Sequence, residues 1–182
     1  MPITFTPTAI PEVILIKPQV FEDERGSFYE GYREDQFAER HLPRFVQDNV
    51  SYSFRRAVRG LHYQTPPKTQ AKLVHAIRGK VYDVAVDIRR SSPTFGRWVG
   101  YELSDENHHL LYIPPGFAHG FCTLVEDTVV VYKVSDYYSP QHERGIVWND
   151  PAMGIGWPDP EFDYQMTQRD RSYPLLKNAE LG

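Results

Sequence analysis

The 182-residue chain is predicted to be all-β, a sandwich or barrel of short strands. Three observations predict this. Short apolar segments recur at similar spacing along most of the chain. Gly- and Pro-containing turns separate them. The best-patterned segment, Val81 to Ile88, alternates strictly, with Tyr82, Val84, Val86 and Ile88 on one face and Asp83 and Asp87 on the other.

The elements follow in order. Glu12 to Lys17 is a strand candidate, and Asp23-Glu24-Arg25-Gly26 is a turn. Ser27 to Tyr32 is strand-like, carrying Phe28, Tyr29 and Tyr32. Arg33 to Arg40 is a short helix. Val46 to Ser53, Val58 to Tyr63 and Lys72 to Ile77 read as strands, and Arg78-Gly79-Lys80 supplies a turn before Val81. Trp98 to Leu103, Leu110 to Ile113, Gly120 to Val125 and Thr128 to Val134 complete the set. After Val147 the chain is rich in Pro, Gly and Trp, and is expected to pack as irregular structure with a little helix. With no linker, repeat or low-complexity run, residues 1–182 are expected to form one domain.

Bulk properties narrow the function. Hydrophobic residues at 41% and charged residues at 24% describe an ordinary globular protein. A net charge of -4 disfavours general nucleic-acid binding, so any anionic ligand must meet a local basic cluster. Cys122 sits in an apolar run and reads as a buried thiol. The absence of a membrane-spanning run and of a secretory signal pattern leads to the expectation of a cytoplasmic protein.

The stretch Arg59-Gly60-Leu61-His62-Tyr63-Gln64, followed by Lys72, places a histidine among fixed cations. Histidine moves protons near neutral pH, and neighbouring cations suit negative charge that develops during a reaction. Pro114-Pro115-Gly116-Phe117-Ala118-His119-Gly120 resembles the second motif of the cupin jelly rolls, which implies a double-stranded β-helix with a few short helices. Metal-binding cupins also carry His-x-His and a nearby Glu. Here the first motif reads His62-Tyr63-Gln64 with no acid after it, and Lys72 adds positive charge. The expectation is therefore no metal and no cofactor. A metal-free barrel with these groups suits proton abstraction beside a carbonyl. His62 is the candidate base, Lys72 or His119 the oxyanion stabiliser, and Tyr132 the acid on the other face. Asp170 and Asp83 are the candidate carboxylates orienting His62 and His119.

These motifs, with Gln70-Ala71-Lys72-Leu73-Val74, Tyr132-Lys133-Val134-Ser135-Asp136-Tyr137-Tyr138 and His142-Glu143-Arg144-Gly145-Ile146, closely resemble the dTDP-4-dehydrorhamnose 3,5-epimerase family. The resemblance runs from Ile3 to about Leu176. It implies a homodimer with an exchanged N-terminal segment. It also implies inversion at C3 and C5 of dTDP-4-keto-6-deoxy-D-glucose, giving dTDP-4-keto-L-rhamnose for dTDP-L-rhamnose biosynthesis. In catalysis, the family pattern matches His62 to the base with Asp170, Tyr132 to the acid, and Lys72 and His119 to groups near the sugar carbonyl. Arg25, Glu30, Gln47, Asn49, Arg59, Glu143 and Arg169 match substrate-binding positions, and Tyr138 is expected to contact the sugar or stack.

Three readings follow: the 3,5-epimerase; a relative inverting only C3 or C5 of a related sugar; and a non-catalytic carbohydrate binder or metal cupin. The sequence departs from the family at Arg56, Ala57 and Arg169, and Arg55-Arg56 adds charge nearby. One geometric difficulty stands out. Strict alternation puts Gly60, His62 and Gln64 on one face and Arg59 on the other, so both reach one site only if Gly60 marks a bulge, or else Arg59 serves a different edge or the partner subunit.

Overall fold

The protein is described here by a computed structural model, covering residues 2–159 and 163–182. Among these residues, thirteen strands form two facing antiparallel sheets and one small hairpin. The six-stranded sheet runs β1 (Ile3–Pro7), β2 (Ile14–Pro18), β10 (Leu110–Ile113), β7 (Lys72–Arg78), β12 (Thr128–Val134) and β5 (Gln47–Ser53). The five-stranded sheet runs β13 (Glu143–Gly145), β6 (Val58–Gln64), β11 (Phe117–Thr123), β8 (Lys80–Asp87) and β9 (Trp98–Ser104). β3 (Phe21–Asp23) and β4 (Gly26–Phe28) form the hairpin. This is the all-β jelly roll expected of the sequence.

Apolar alternation builds the layers. Val74, Val81, Ala85, Leu103, Leu111, Phe117 and Val130 point between the sheets and form the central core. The opposite faces are covered as well. The C-terminal tail lays Met153, Trp157, Tyr164 and Leu176 over Val84, Val86 and Leu61 of the five-stranded sheet. Trp98 and Trp148 join that layer, so the tryptophans pack. On the six-stranded sheet, α1 (Glu34–Ala38) is too short to be stable alone. It is held by Phe37, which is fully buried among Ile16, Leu73 and Leu110; that burial contributes about 2 kcal/mol.

Several expected boundaries shift. The strand expected over Ser27 to Tyr32 ends at Phe28, because Tyr29 and Tyr32 turn inward to pack on His75 and Phe37 instead of continuing a ladder. The helix is shorter than residues 33–40. β11 begins at Phe117, three residues before Gly120, so His119 lies inside a strand and not in a turn. β1, β3 and β13 had no sequence counterpart; each is short, and β1 and β13 close sheet edges. Among the described residues no helix is long and apolar enough to cross a membrane.

Candidate active site

A cavity of about 700 Å³ opens between the sheets at the end where β5, β6, β12 and β13 meet. Each sheet contributes a different chemistry. From the six-stranded sheet come Lys72 on β7, Tyr132 on β12 and Asn49 on β5. Tyr132 pairs directly with Asn49 and Val74, so these three share the inner face. From the five-stranded sheet come Arg59 and His62 on β6 and His119 on β11. His62 lies directly opposite His119 on one side and Gly145 on the other.

Arg59 reaches the same cavity because the β6–β11 register slips. His119 pairs with His62 and Phe121 with Arg59, so three steps along β6 match two along β11. The extra residue re-phases the strand. Gly60 sits in this bulge with φ +129°, and a Cβ there would stand 2.5 Å from the Gly120 Cα. Only glycine fits so close an approach at that dihedral. The arginine then donates from Nε to Ser53 Oγ at 2.9 Å and from Nη2 to the Tyr52 carbonyl at 3.2 Å.

Both expected His–Asp pairs form. His62 Nε2 lies 3.0 Å from Asp170 Oδ1. Asp170 is delivered by α2 (Gln168–Arg171), whose N-cap Thr167 accepts from the Asp170 N–H at 3.1 Å. Burial alone would raise the Asp170 pKa, but the bond and charge of His62, with the Gly60 N–H, lower it further than burial lifts it. With Nε2–H donated to this carboxylate, the Nδ1 lone pair of His62 is left to take a proton. His119 Nε2 lies 2.9 Å from Asp83 Oδ2. Asp83 is two residues along β8 from Ala85, the residue opposite His119, so its carboxylate reaches diagonally. Burial lowers the His119 pKa, and Lys72 adds to that; Asp83 only partly offsets them.

Lys72 is buried, donates to the His62 carbonyl at 3.3 Å, and has its pKa pulled down to about 8 by desolvation, against the attraction of Asp83 and Glu143. Burial raises the Tyr132 phenol. At the cavity mouth, Glu143 accepts from Tyr138 Oη at 2.7 Å and from Arg169 Nη2 at 2.5 Å. Burial raises the Glu143 pKa, but those two donors outweigh it and hold the carboxyl ionised.

Gln47 stands just behind the lining, accepting from the Tyr138 N–H at 3.0 Å and donating to Asn49 at 2.8 Å. Arg25 and Glu30 lie elsewhere. Arg25 pairs with Asp23 on the exposed hairpin, and Glu30 lies 3.9 Å from Arg33. Neither lines the cavity of its own chain. Arg55 and Arg56 do not line it either. Ser51, Gln70, Phe121 and Gln165 to Thr167 do line it, although no role for any of them was read from the sequence.

Gln64 borders the cavity, but its side-chain amide is engaged by the loops behind it. Its amide donates to the Lys68 carbonyl at 2.6 Å and accepts from the Ser139 N–H at 2.7 Å, tying two loops together. Among the described residues no group of three or more His, Cys, Asp or Glu is arranged to hold a metal.

A family model described as dTDP-4-dehydrorhamnose 3,5-epimerase matches residues 7–178. The chain belongs to the dTDP-4-dehydrorhamnose 3,5-epimerase family. It is 55% identical to the family enzyme of Pseudomonas aeruginosa over 177 residues, 96% of this chain and 97% of that one. A Neisseria gonorrhoeae relative of the same name is 56% identical over 83% of this chain, which spans 46% of that longer protein. The crystal structure of the Legionella pneumophila dTDP-6-deoxy-D-glucose-3,5-epimerase, in complex with dTDP-4-keto-L-rhamnose, superposes with a TM-score of 0.92 at 45% identity. The match covers 97% of this chain and 94% of that one. The epimerase family thus accounts for nearly the whole fold, including both sheets and the tail that carries Asp170.

Proposed function

We propose that this chain inverts C3 and C5 of dTDP-4-keto-6-deoxy-D-glucose, giving dTDP-4-keto-L-rhamnose for dTDP-L-rhamnose biosynthesis, as a cytoplasmic homodimer. The observation that carries the mechanism is the division of labour across the cavity. His62, met by Asp170 from α2, stands on one sheet and Tyr132 on the other, with buried Lys72 beside them.

Both carbons flank the C4 ketone. His62 Nδ1 takes the proton from C3 or C5, and the bonding pair moves into a C–C double bond as the C4 oxygen becomes an enolate. The Lys72 ammonium stabilises that oxygen. Tyr132 returns a proton to the opposite face of the same carbon, and the ketone re-forms with the centre inverted. Asp170 stabilises the imidazolium in between. Once the imidazolium has passed its proton to solvent and the Tyr132 phenolate has regained one from it, the same base, cation and acid serve the second carbon. Arg59, Arg169, Glu143, Asn49 and Tyr138 surround the mouth where the nucleotide and sugar bind, with Arg59 and Arg169 supplying charge for the diphosphate.

The homodimer reading is supported by apolar surface left uncovered in one chain. Phe28 is 63% exposed and Val50 is 69% exposed, with Tyr52 and Ile77 nearby on the outer sheet face. Exchange of the N-terminal segment accounts for Arg25 and Glu30, which would complete the partner's cavity.

Incubation with the substrate in D₂O tests the reaction. Deuterium is expected at both C3 and C5, and Tyr132→Phe should keep exchange while inverted product falls. Exchange at one carbon alone would reduce the reading to a mono-epimerase, and no exchange would end it.

A further inference from the structure

We propose that Tyr173 is a positioning residue for the reaction, its ring wedging the His62 imidazole and the Arg169 guanidinium into their working orientations through a gap left by Gly145. The proposal rests on His62 acting as the base. Nothing in the sequence motifs singles out this tyrosine.

Three contacts meet at its ring. It stands edge-on to His62, with centroids 5.6 Å apart and planes 74° apart. The Arg169 guanidinium carbon lies 5.6 Å from the ring centroid, within range of a cation–π contact. The third is the floor on which the ring rests. Gly145 is the residue directly opposite His62 in the β6–β13 ladder. Any Cβ at Gly145 would run into the Tyr173 ring. A side chain at that ladder position would therefore displace the wedge from the base it abuts.

The backbone holds the ring there from both sides. Ser172 Oγ donates to the Gln168 carbonyl at 2.9 Å, and the Pro174 carbonyl accepts from the Val147 N–H at 3.0 Å. Tyr173 is three residues beyond Asp170, so one anchored segment delivers both the carboxylate and the wedge. The hydroxyl is buried, has no partner of normal hydrogen-bond geometry and lies within electrostatic reach of Arg169, while the contact with His62 is made by the ring.

The need for a wedge follows from the exposure of the base. The His62 side chain is 30% exposed. A single hydrogen bond to Asp170 fixes one nitrogen but lets the ring pivot about it. A second contact against the ring removes that pivot and keeps Nδ1 aimed into the cavity. A small misplacement of a reacting group is costly in rate.

Tyr173→Leu and Tyr173→Phe, compared for kcat, KM, pH profile and the NMR signals of the His62 ring, test this. Tyr173→Leu is expected to lower kcat by roughly 10- to 100-fold with a smaller change in KM. It should also shift the His62 ring signals and the limb of the pH profile they govern. Tyr173→Phe, which keeps the ring, should restore all of these. Wild-type kcat and unshifted His62 signals in Tyr173→Leu would overturn the proposal, as would a Phe variant as impaired as Leu. Retained exchange in His62→Ala would instead overturn the assignment of the base, which the His62 signals in the Tyr173 variants do not depend on.

Discussion

Two histidines face each other across one ladder position, each bonded through Nε2 to a carboxylate, and they differ chiefly in burial. The His62 and Asp170 side chains are 30% and 8% exposed; those of His119 and Asp83 are 6% and 0%. The exposed pair can meet substrate and take a proton from it. In the buried pair, burial and neighbouring Lys72 lower the His119 pKa against the pull of Asp83, and the imidazole is tied through Nε2 to that carboxylate at 2.9 Å. The Asp83 carboxylate also attracts the Lys72 ammonium, the cation that the proposed mechanism sets beside the developing oxyanion. In the proposed mechanism the same residue pair is thus a base in one setting and part of an electrostatic foundation in the other.

Three experiments separate the two pairs. The largest effect is expected from His62→Ala, which should lose on the order of 10²-fold or more of the deuterium exchange at both carbons. His119→Ala should retain more of it. Comparable losses would erase the distinction. The next effect is on stability. Asp83→Asn strips the charge from a fully buried group facing Lys72, and urea unfolding should show a loss of about 2–3 kcal/mol. Asp170→Asn, nearer solvent, should cost about 1 kcal/mol. The reverse ranking would place the structural pair at His62.

The smallest effect is a pH dependence. The Lys72 pKa is about 8 against an ordinary 10.5, so its cation is lost as pH rises through about 8 and kcat should fall roughly tenfold by about pH 9. Stability moves the other way. Between about 8 and 10.5 the unfolded chain holds more protons than the folded one, so the contribution of Lys72 to stability rises with pH across that window. Lys72→Met should remove both trends. An alkaline rise in stability that survives the substitution would belong to another group.

Much of this site is legible in the sequence because it lies on strands with strong patterns. Lys72, Tyr132 and Asn49 fall on segments whose alternation also marks the core, so their facing follows from their neighbours. Arg59 is harder, since alternation alone turns it away. The bulge that brings it back is written only in Gly60 and in the Gly120 opposite, and glycine by itself does not say which way a strand re-phases. Asp170 sits in a tail without periodicity, and only the Thr167 cap marks the short helix that aims it. Tyr173 carries no signal: its place depends on a missing side chain at Gly145, far off in sequence. Arg25 and Glu30 match a motif, yet within one chain they lie on and beside an exposed hairpin, away from the cavity, because a motif match does not encode where the chain carries it.

The bulge at Gly60 also partitions the strand into two modules. Residues before it present Arg59, and residues after it present His62, each with its own phase relative to the barrel. Substitutions before Gly60 are therefore expected to act on the Arg59 side of the cavity with the orientation of His62 kept. Removing that single residue would turn Arg59 out of the cavity with the rest of β6 kept in register. A descendant of this chain can change what it holds without disturbing how it moves a proton, provided position 60 keeps its spare residue.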